Sequence, residues 1–381
     1  MKKLLIATDS FLPRWDGVAR FLLELLPNLS SLYEITVVAP DFKGKTKPFT
    51  NIKIVRVPLS KIEAGDYISA RLKPYMIKKL VQENDFVWTH TIGTIGTPAI
   101  YYANKFKKPV IAFVHSLEWE LVSKSITSRK IGQSYIQIFI IRLMKYLYNR
   151  CNLLLVPSVD VAEKLKELSI KTKKSIVRLG VNTDVFIPPK NKRISKKGLN
   201  INPDYVVIGF SGRLGREKSL ETLYKAFKRL EKRYKNLFML AIGKGVRKIE
   251  RKFSSNRNIK LVKYTNRILY YLQAMDIYVM PSLTETSSLS TMEAMACGLP
   301  IVTTKVGLIK HYVKDKINGC FFPKENDLVL SLKLEWLIKN KEIREQMGKR
   351  ARETIVKKYQ WSRTVDKIKK ILREVCDTYN N

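Results

Sequence analysis

Pro281-Ser282-Leu283-Thr284-Glu285-Thr286-Ser287-Ser288-Leu289-Ser290-Thr291-Met292-Glu293-Ala294-Met295-Ala296-Cys297-Gly298-Leu299-Pro300 is the stretch on which the reading of this chain turns. It lies between two short apolar runs, Ile277 to Met280 and Ile301 to Thr303. Continuous apolar runs of this length are buried strands of a parallel sheet, which makes the stretch between them a crossover. Its second half reads as a short helix beginning near Ser290 and stopping at Gly298, with Pro300 just beyond, as helix C-termini often do. Its first half is a small polar loop at the carboxyl end of a strand, where open parallel sheets bind their ligands. The N–H groups of that loop sit at the positive end of the helix and suit a diphosphate. Glu285 in the loop and Glu293 in the expected first turn are placed to accept hydrogen bonds from sugar or ribose hydroxyls. Ser290-x-x-Glu293 is equally a capping box, with Glu293 returning a bond to the helix start. Glu285 has no such alternative: it is either solvated or functional.

The same grammar repeats upstream. Val206 to Phe210 is a strand, Leu220 to Leu230 a helix, and between them runs Gly209-Phe210-Ser211-Gly212-Arg213-Leu214-Gly215-Arg216-Glu217-Lys218. Glycine lets backbone turn tightly and approach a ligand, while Arg213 and Lys218 can neutralise phosphate oxygens. The Gly-Lys-Ser/Thr order of a Walker loop is missing. Alone this turn is weak evidence; beside the first loop on a neighbouring strand end it is much stronger. Phe238 to Ile242 and Ile259 to Val262 are further strands, and the tail from Asp327 is mostly helical.

The first half alternates in the same way, with strands at Lys3 to Thr8, Glu34 to Val38, Ile52 to Val57, Phe86 to Thr89, Val110 to Val114 and Leu153 to Val156. A helical face of Val18, Phe21, Leu22, Leu25 and Leu26 is expected to end at Pro27. The Pro-, Lys- and Asn-rich stretch from Pro188 to Pro203 reads as a linker. The expectation is therefore α/β: two doubly wound parallel-sheet domains, 1–187 and 188–361, facing a cleft. A C-terminal helix at about 362–381 is expected to pack back on the first.

A chain of 381 residues suits two domains, and its 45% hydrophobic content can fill two cores. The formal net charge is +38, from 71 Lys and Arg against 33 Asp and Glu, which favours an anionic contact or reflects a Lys-rich proteome. Cys151, Cys297, Cys320 and Cys376 are far apart and only 3 His are present, so no metal-ligand pattern forms and free thiols in a reducing cytoplasm are expected. The apolar N-terminus stops at Thr8-Asp9, too short for a signal peptide, and no run reaches the roughly 18 apolar residues of a membrane span.

The two loops resemble the donor-binding signatures of glycosyltransferase family 4, retaining enzymes of the GT-B fold, and the resemblance covers nearly the whole chain. Glu285 and Glu293 match the family's paired glutamates, the second opening the Glu-Ala-Met-Ala-x-Gly-x-Pro run. Gly212-Arg213-Leu214 with Glu217-Lys218 matches its Gly-Arg-Leu…Glu-Lys segment. Gly180-Val181-Asn182-Thr183-Asp184-Val185-Phe186 and the N-terminal Asp9-Ser10-Phe11-Leu12-Pro13 with Gly17-Val18-Ala19 resemble two more of its elements. The resemblance implies that Arg213 and Lys218 hold the donor diphosphate, Glu293 the ribose and Glu285 the hexose. Gly212 and the N–H groups of Thr286, Ser287, Ser288 and Leu289 would form the phosphate cradle, approached by Gly17. It places His115, and more weakly His90, near sugar and acceptor, and Lys263 and Tyr264 near the nucleotide base. It also implies turnover with no metal and no cofactor beyond the nucleotide sugar. Thr286-Ser287-Ser288 departs from the Phe-Gly that many members carry after the first glutamate, which leaves the sugar open between GDP-mannose and UDP-glucose.

The acceptor is read from another segment. Between Glu120 and Asp160 there is no Asp or Glu, and Lys124, Arg129, Lys130, Arg142, Lys145 and Arg150 are interleaved with aromatic and aliphatic residues. A basic, aromatic-rich amphipathic segment over Lys124–Arg150 suits an anionic bilayer surface. It points to a lipid-linked acceptor and a peripheral place on the cytoplasmic face; an ordinary helix packed on the sheet is the plain alternative. A soluble enzyme using a small-molecule or polysaccharide acceptor is the competing function. A nucleic-acid-binding protein is less well supported, because no recognised module is present. Oligomeric state is not legible.

Overall fold

The computed structural model describes residues 1–14, 16–44, 49–64, 67–115, 130–263, 265 and 267–378. The chain divides into two compact units, Met1–Arg178 with Val365–Asn381, and Leu179–Thr364.

Unit 1 contains β1 (Lys2–Ala7), α1 (Gly17–Leu29), β2 (Tyr33–Pro40), β3 (Ile52–Val57), β4 (Leu59–Ala64), β5 (Tyr67–Ala70) and α2 (Pro74–Glu83). It continues with β6 (Phe86–Thr89), α3 (Gly96–Lys105), β7 (Val110–Phe113), α4 (Lys130–Tyr148), β8 (Leu153–Val156), α5 (Val159–Glu167) and β9 (Lys174–Ile176). Seven strands form one sheet in the order β3-β2-β1-β6-β7-β8-β9, every pair parallel, while β4 and β5 make a separate antiparallel ribbon. Leu4, Leu5, Ile6 and Ala7 are all at 0% exposure, so both faces of β1 are covered and its unbroken apolar run has a physical cause. Pro27 does not end α1, which runs on to Leu29.

Unit 2 contains α6 (Lys192–Gly198), β10 (Val206–Ser211), α7 (Leu220–Glu231), β11 (Leu237–Ile242), α8 (Arg247–Ser254), β12 (Ile259–Val262) and α9 (Ile268–Leu272). Then come β13 (Ile277–Met280), α10 (Leu289–Ala296), β14 (Ile301–Thr304), α11 (Ile309–Tyr312), β15 (Gly319–Phe322), α12 (Asp327–Lys339) and α13 (Lys341–Lys358). The last helix, α14 (Trp361–Thr378), begins in unit 2, and its residues from Val365 count with unit 1. There Lys2 Nζ donates to the Cys376 carbonyl at 2.8 Å. The unit 2 sheet is wholly parallel in the order β12-β11-β10-β13-β14-β15.

Two expectations are corrected here. The expected boundary at 187/188 falls instead at 178/179, because Gly180 to Phe186 is built into unit 2. Val181 N–H donates to the Tyr359 carbonyl at 2.8 Å, and the Val181 carbonyl accepts from Trp361 N–H at 3.0 Å. Arg352 Nη1 donates to the Phe186 carbonyl at 2.9 Å and also to that of Ala296 at the end of α10. Val181 and Phe186 lie in the unit 2 core. The expected linker, in turn, contains α6. Asn191 caps it by accepting from the N–H groups of Arg193 and Ile194, and Lys196 Nζ meets Asp276 Oδ2 at 2.7 Å with both side chains 7% exposed. A Lys-rich helix anchored by a buried carboxylate leaves no apolar periodicity to read.

No helix among the described residues is long and apolar enough to cross a membrane, and all four cysteines are free and buried.

Candidate functional site

Strand order reverses in unit 2 between β10 and β13, the two strands that carry the Gly212-Arg213-Leu214 turn and the Thr284 to Leu289 loop. In open α/β sheets a crevice opens at this reversal, outside the carboxyl ends. The loops are tied together there: Leu283 N–H donates to the Glu217 carbonyl at 2.7 Å. Tyr278, buried in β13, hydrogen-bonds Ser211 at both its hydroxyl (3.1 Å) and its carbonyl (3.0 Å). Gly212 is held to β11 by donating to the Ile242 carbonyl at 2.9 Å. Gly243, at φ +151°, must be glycine, because a Cβ there would lie 1.9 Å from the Gly212 oxygen.

Charged side chains line this end of the sheet in pairs. Arg213 Nη2 donates to Glu217 Oε1 at 2.7 Å. Lys218 Nζ pairs with Glu285 Oε1, which also accepts from Ser282 Oγ at 2.7 Å. Glu285 is therefore neither solvated nor idle: it holds Lys218, and its side chain is only 9% exposed.

The helix after the loop begins at Leu289, with Ser288 as its N-cap in the left-handed conformation at φ 53°. The expected start at Ser290 is thus too late, and the capping-box reading goes with it. Glu293 is the fifth residue of α10 and 2% exposed. Ser288 makes no side-chain cap to a helix N–H: its carbonyl accepts from Thr291 N–H at 3.0 Å, and its hydroxyl lies 2.8 Å from Thr291 Oγ1. Among the described residues, no hydrogen bond uses the N–H groups of Thr286, Ser287, Ser288 or Leu289 as donors. These are orphan donors of a helix N-terminus and its approach, beside Arg213 and Lys218, and they suit a bound anion.

Lys263 is exposed just past β12, the edge strand, two strands away from β10. Tyr264 lies outside the described residues, as do Lys124 and Arg129.

In unit 1 the reversal lies between β1 and β6, and a carboxylate fills it. Asp9, 1% exposed, accepts from Thr91 Oγ1 (2.6 Å), Gly93 N (3.0 Å), Thr94 Oγ1 (3.2 Å), Ile95 N (2.8 Å) and Gly96 N (3.2 Å). It fixes the turn into α3. Gly17 opens α1 behind the N-cap Asp16, is exposed, and has nothing within 4 Å of where a Cβ would stand. His90 and His115 come together: His90 Nδ1 lies 2.9 Å from His115 Nε2. His115 stacks on Phe113 with centroids 4.2 Å apart, and Phe21 and Trp88 complete an aromatic nest. Burial lowers the His115 pKa to about 3; burial, and then His115 itself, hold His90 well below its usual value. Both rings are therefore uncharged imidazoles near pH 7.

Two family models match the chain. "Glycosyltransferase Family 4" covers residues 15–185, and "Glycosyl transferases group 1" covers residues 191–354, the stretch that holds both loops. This chain is a family 4 glycosyltransferase. Alpha-monoglucosyldiacylglycerol synthase of Acholeplasma laidlawii is 27% identical to it over 347 residues, covering 86% of each chain. Among solved structures, sucrose-phosphate synthase from Thermosynechococcus elongatus superposes with a TM-score of 0.80 at 17% identity, covering 99% of this chain and 100% of that one. Anabaena HepE, solved with UDP-glucose, gives 0.76 at 13% identity, covering 98% and 100%. The glycosyltransferase has the GT-B fold, and among its described residues no cluster of three or more His, Cys, Asp or Glu could hold a metal ion.

No role for the side chains of Tyr278 and Ser282 or for the Asp9 carboxylate in these sites was legible in the sequence. Asp9 bonds to residues 82 to 87 positions away, which no local pattern signals.

Proposed function

We propose that this glycosyltransferase moves a hexose from a nucleoside diphosphate sugar, UDP-glucose before GDP-mannose, onto a diacylglycerol-type lipid at an anionic bilayer surface, with retention of anomeric configuration and no metal. The observation that carries the donor half is the meeting of orphan N–H groups, Arg213 and Lys218 at the β10/β13 reversal. As the bond from the anomeric carbon to the diphosphate breaks, negative charge grows on the leaving phosphate. Preorganised cations and N–H dipoles stabilise that charge more than they stabilise the ground state. In this reading Glu285, already bonded to Lys218, accepts from a hexose hydroxyl, and Glu293 from the ribose. An acceptor hydroxyl attacks the anomeric carbon from the face the diphosphate leaves, and its proton passes to the departing phosphate oxygen.

The acceptor half rests on α4. Tyr135, Ile138, Phe139 and Tyr146 are 73%, 49%, 66% and 47% exposed, and Arg142 and Lys145 are exposed among them, while Met144, Leu147 and Tyr148 are buried on the other side. Exposed aromatic and aliphatic side chains set among cations are the composition of a helix lying in an anionic interface. The relative named for monoglucosyldiacylglycerol synthesis supports the lipid class, and the HepE complex supports the uridine donor.

The test is glycolipid formation from labelled UDP-glucose or GDP-mannose on vesicles containing diacylglycerol, with either phosphatidylglycerol or phosphatidylcholine as bulk lipid. Labelled lipid from UDP-glucose, faster on the anionic vesicles, is expected. Transfer only to soluble sugars, or equal rates on both vesicles, would contradict the acceptor reading.

A further inference from the structure

The loop that carries the orphan N–H groups is held from behind by residues from β14's end and α11. Leu308 N–H donates to the Thr286 carbonyl at 2.8 Å. Tyr312, the last residue of α11 and 1% exposed, donates its hydroxyl to the Ser287 carbonyl at 2.8 Å, and that hydroxyl lies 3.4 Å from the Ser288 carbonyl. The Ser288 hydroxyl in turn meets Thr291 Oγ1 at 2.8 Å. Gly307, at φ +51°, lets this wall close in, since a Cβ there would lie 2.0 Å from the Glu285 carbonyl oxygen.

Peptide planarity turns these contacts into a statement about the other side of the loop. In a trans peptide the C=O and the following N–H point in opposite directions. Carbonyls 286, 287 and 288 are engaged toward the protein interior, so the N–H groups of Ser287, Ser288 and Leu289 are directed away from it. Without the phenol, the Ser287 carbonyl would be a buried acceptor lacking its partner. Its cheapest relief is to rotate toward solvent, which would turn an oxygen to where an N–H now points.

We infer that Tyr312 is a positioning residue for the phosphate cradle: its hydroxyl fixes the Ser287–Ser288 peptide so that the cradle presents hydrogens, not oxygens, to the donor's diphosphate. The inference rests on the donor reading above and adds to it a residue that touches no part of the donor. The phenol is suited to the task, because burial, and then the Glu285 charge, raise its pKa well above 10 and keep it a donor. Its ring, edge-on to Tyr359 at 5.7 Å, anchors the contact in the unit 2 core.

The test compares the full-length chain with Tyr312→Phe, which removes one oxygen and keeps the ring. UDP binding is measured by calorimetry, uridine binding by ligand-observed NMR, and folding by a circular-dichroism melt. The expected result is UDP affinity weakened about tenfold, with uridine affinity unchanged. A purely structural tyrosine would move both ligands together or neither, and either outcome overturns the inference. If the wild-type chain binds none of UDP, GDP and ADP, the donor reading itself fails and takes this inference with it. Loss confined to Tyr312→Phe leaves that reading standing.

Discussion

Glu285→Gln tests the double role that the structure gives this residue. The variant keeps the side chain's shape and the Ser282 hydrogen bond of 2.7 Å, but removes the charge facing Lys218. The pair is mostly covered, with side chains 16% and 9% exposed. Exposed ion pairs contribute about 0–1 kcal/mol, whereas breaking a fully buried one costs about 3–5 kcal/mol. Residual solvent screening at Lys218 puts the pair between these two limits, so we expect a loss of about 1–3 kcal/mol. Lys218→Met should cost a similar amount by leaving the carboxylate with Ser282 alone. Since each single change strands the other partner, the double variant should be less destabilised than the two losses added, by about 1–2 kcal/mol. Urea unfolding of the four proteins, compared at the same transition because two units need not unfold together, measures this without any substrate. Single losses below about 0.5 kcal/mol with additive effects would refute the pairing and return Glu285 to a purely ligand-facing role.

Two further outcomes follow from the geometry. His115, with its pKa lowered from 6.5 to about 3, binds fewer protons folded than unfolded between those values, so stability is full above pH 6.5 and falls as pH drops through the interval. The slope should reach about 1.4 kcal/mol per pH unit from this residue, with His90 adding in the same direction. His115→Phe should flatten the stability–pH curve between about pH 5 and 6.5, where most carboxylates remain ionised; an unchanged slope would contradict the burial. Gly307→Ala places a Cβ 2.0 Å from the Glu285 oxygen at a left-handed φ, and should cost roughly 1–3 kcal/mol and weaken UDP binding. A melting temperature equal to that of the wild type would show that the two loops are not packed together.

The sheets were legible because their strands are covered on both faces and therefore read as unbroken apolar runs, as Leu4 to Ala7 and Ile277 to Met280 do. The two loops were legible because strand, small polar turn and helix follow one another locally. What stayed hidden was held by contacts distant in sequence or by polar burial. The helix Lys192–Gly198 looks like a linker because its anchor, Asp276, is remote. Gly180 to Phe186 looks like the end of unit 1 because its partners, Arg352 and Tyr359, come near the end of unit 2. The roles of the two glutamates changed places for the same reason. The motif Ser290-x-x-Glu293 is a local cap on paper, but a left-handed Ser288 starts the helix earlier, and Glu285 acquires a structural partner 67 positions away.

A crystal structure with UDP bound tests most directly whether the donor diphosphate rests on the N–H groups of Ser287, Ser288 and Leu289 beside Arg213 and Lys218. Phosphate oxygens are expected within hydrogen-bond distance of at least two of those N–H groups and of one of the two cations. UDP seated elsewhere, with the loop's N–H groups still unused, would contradict this placement.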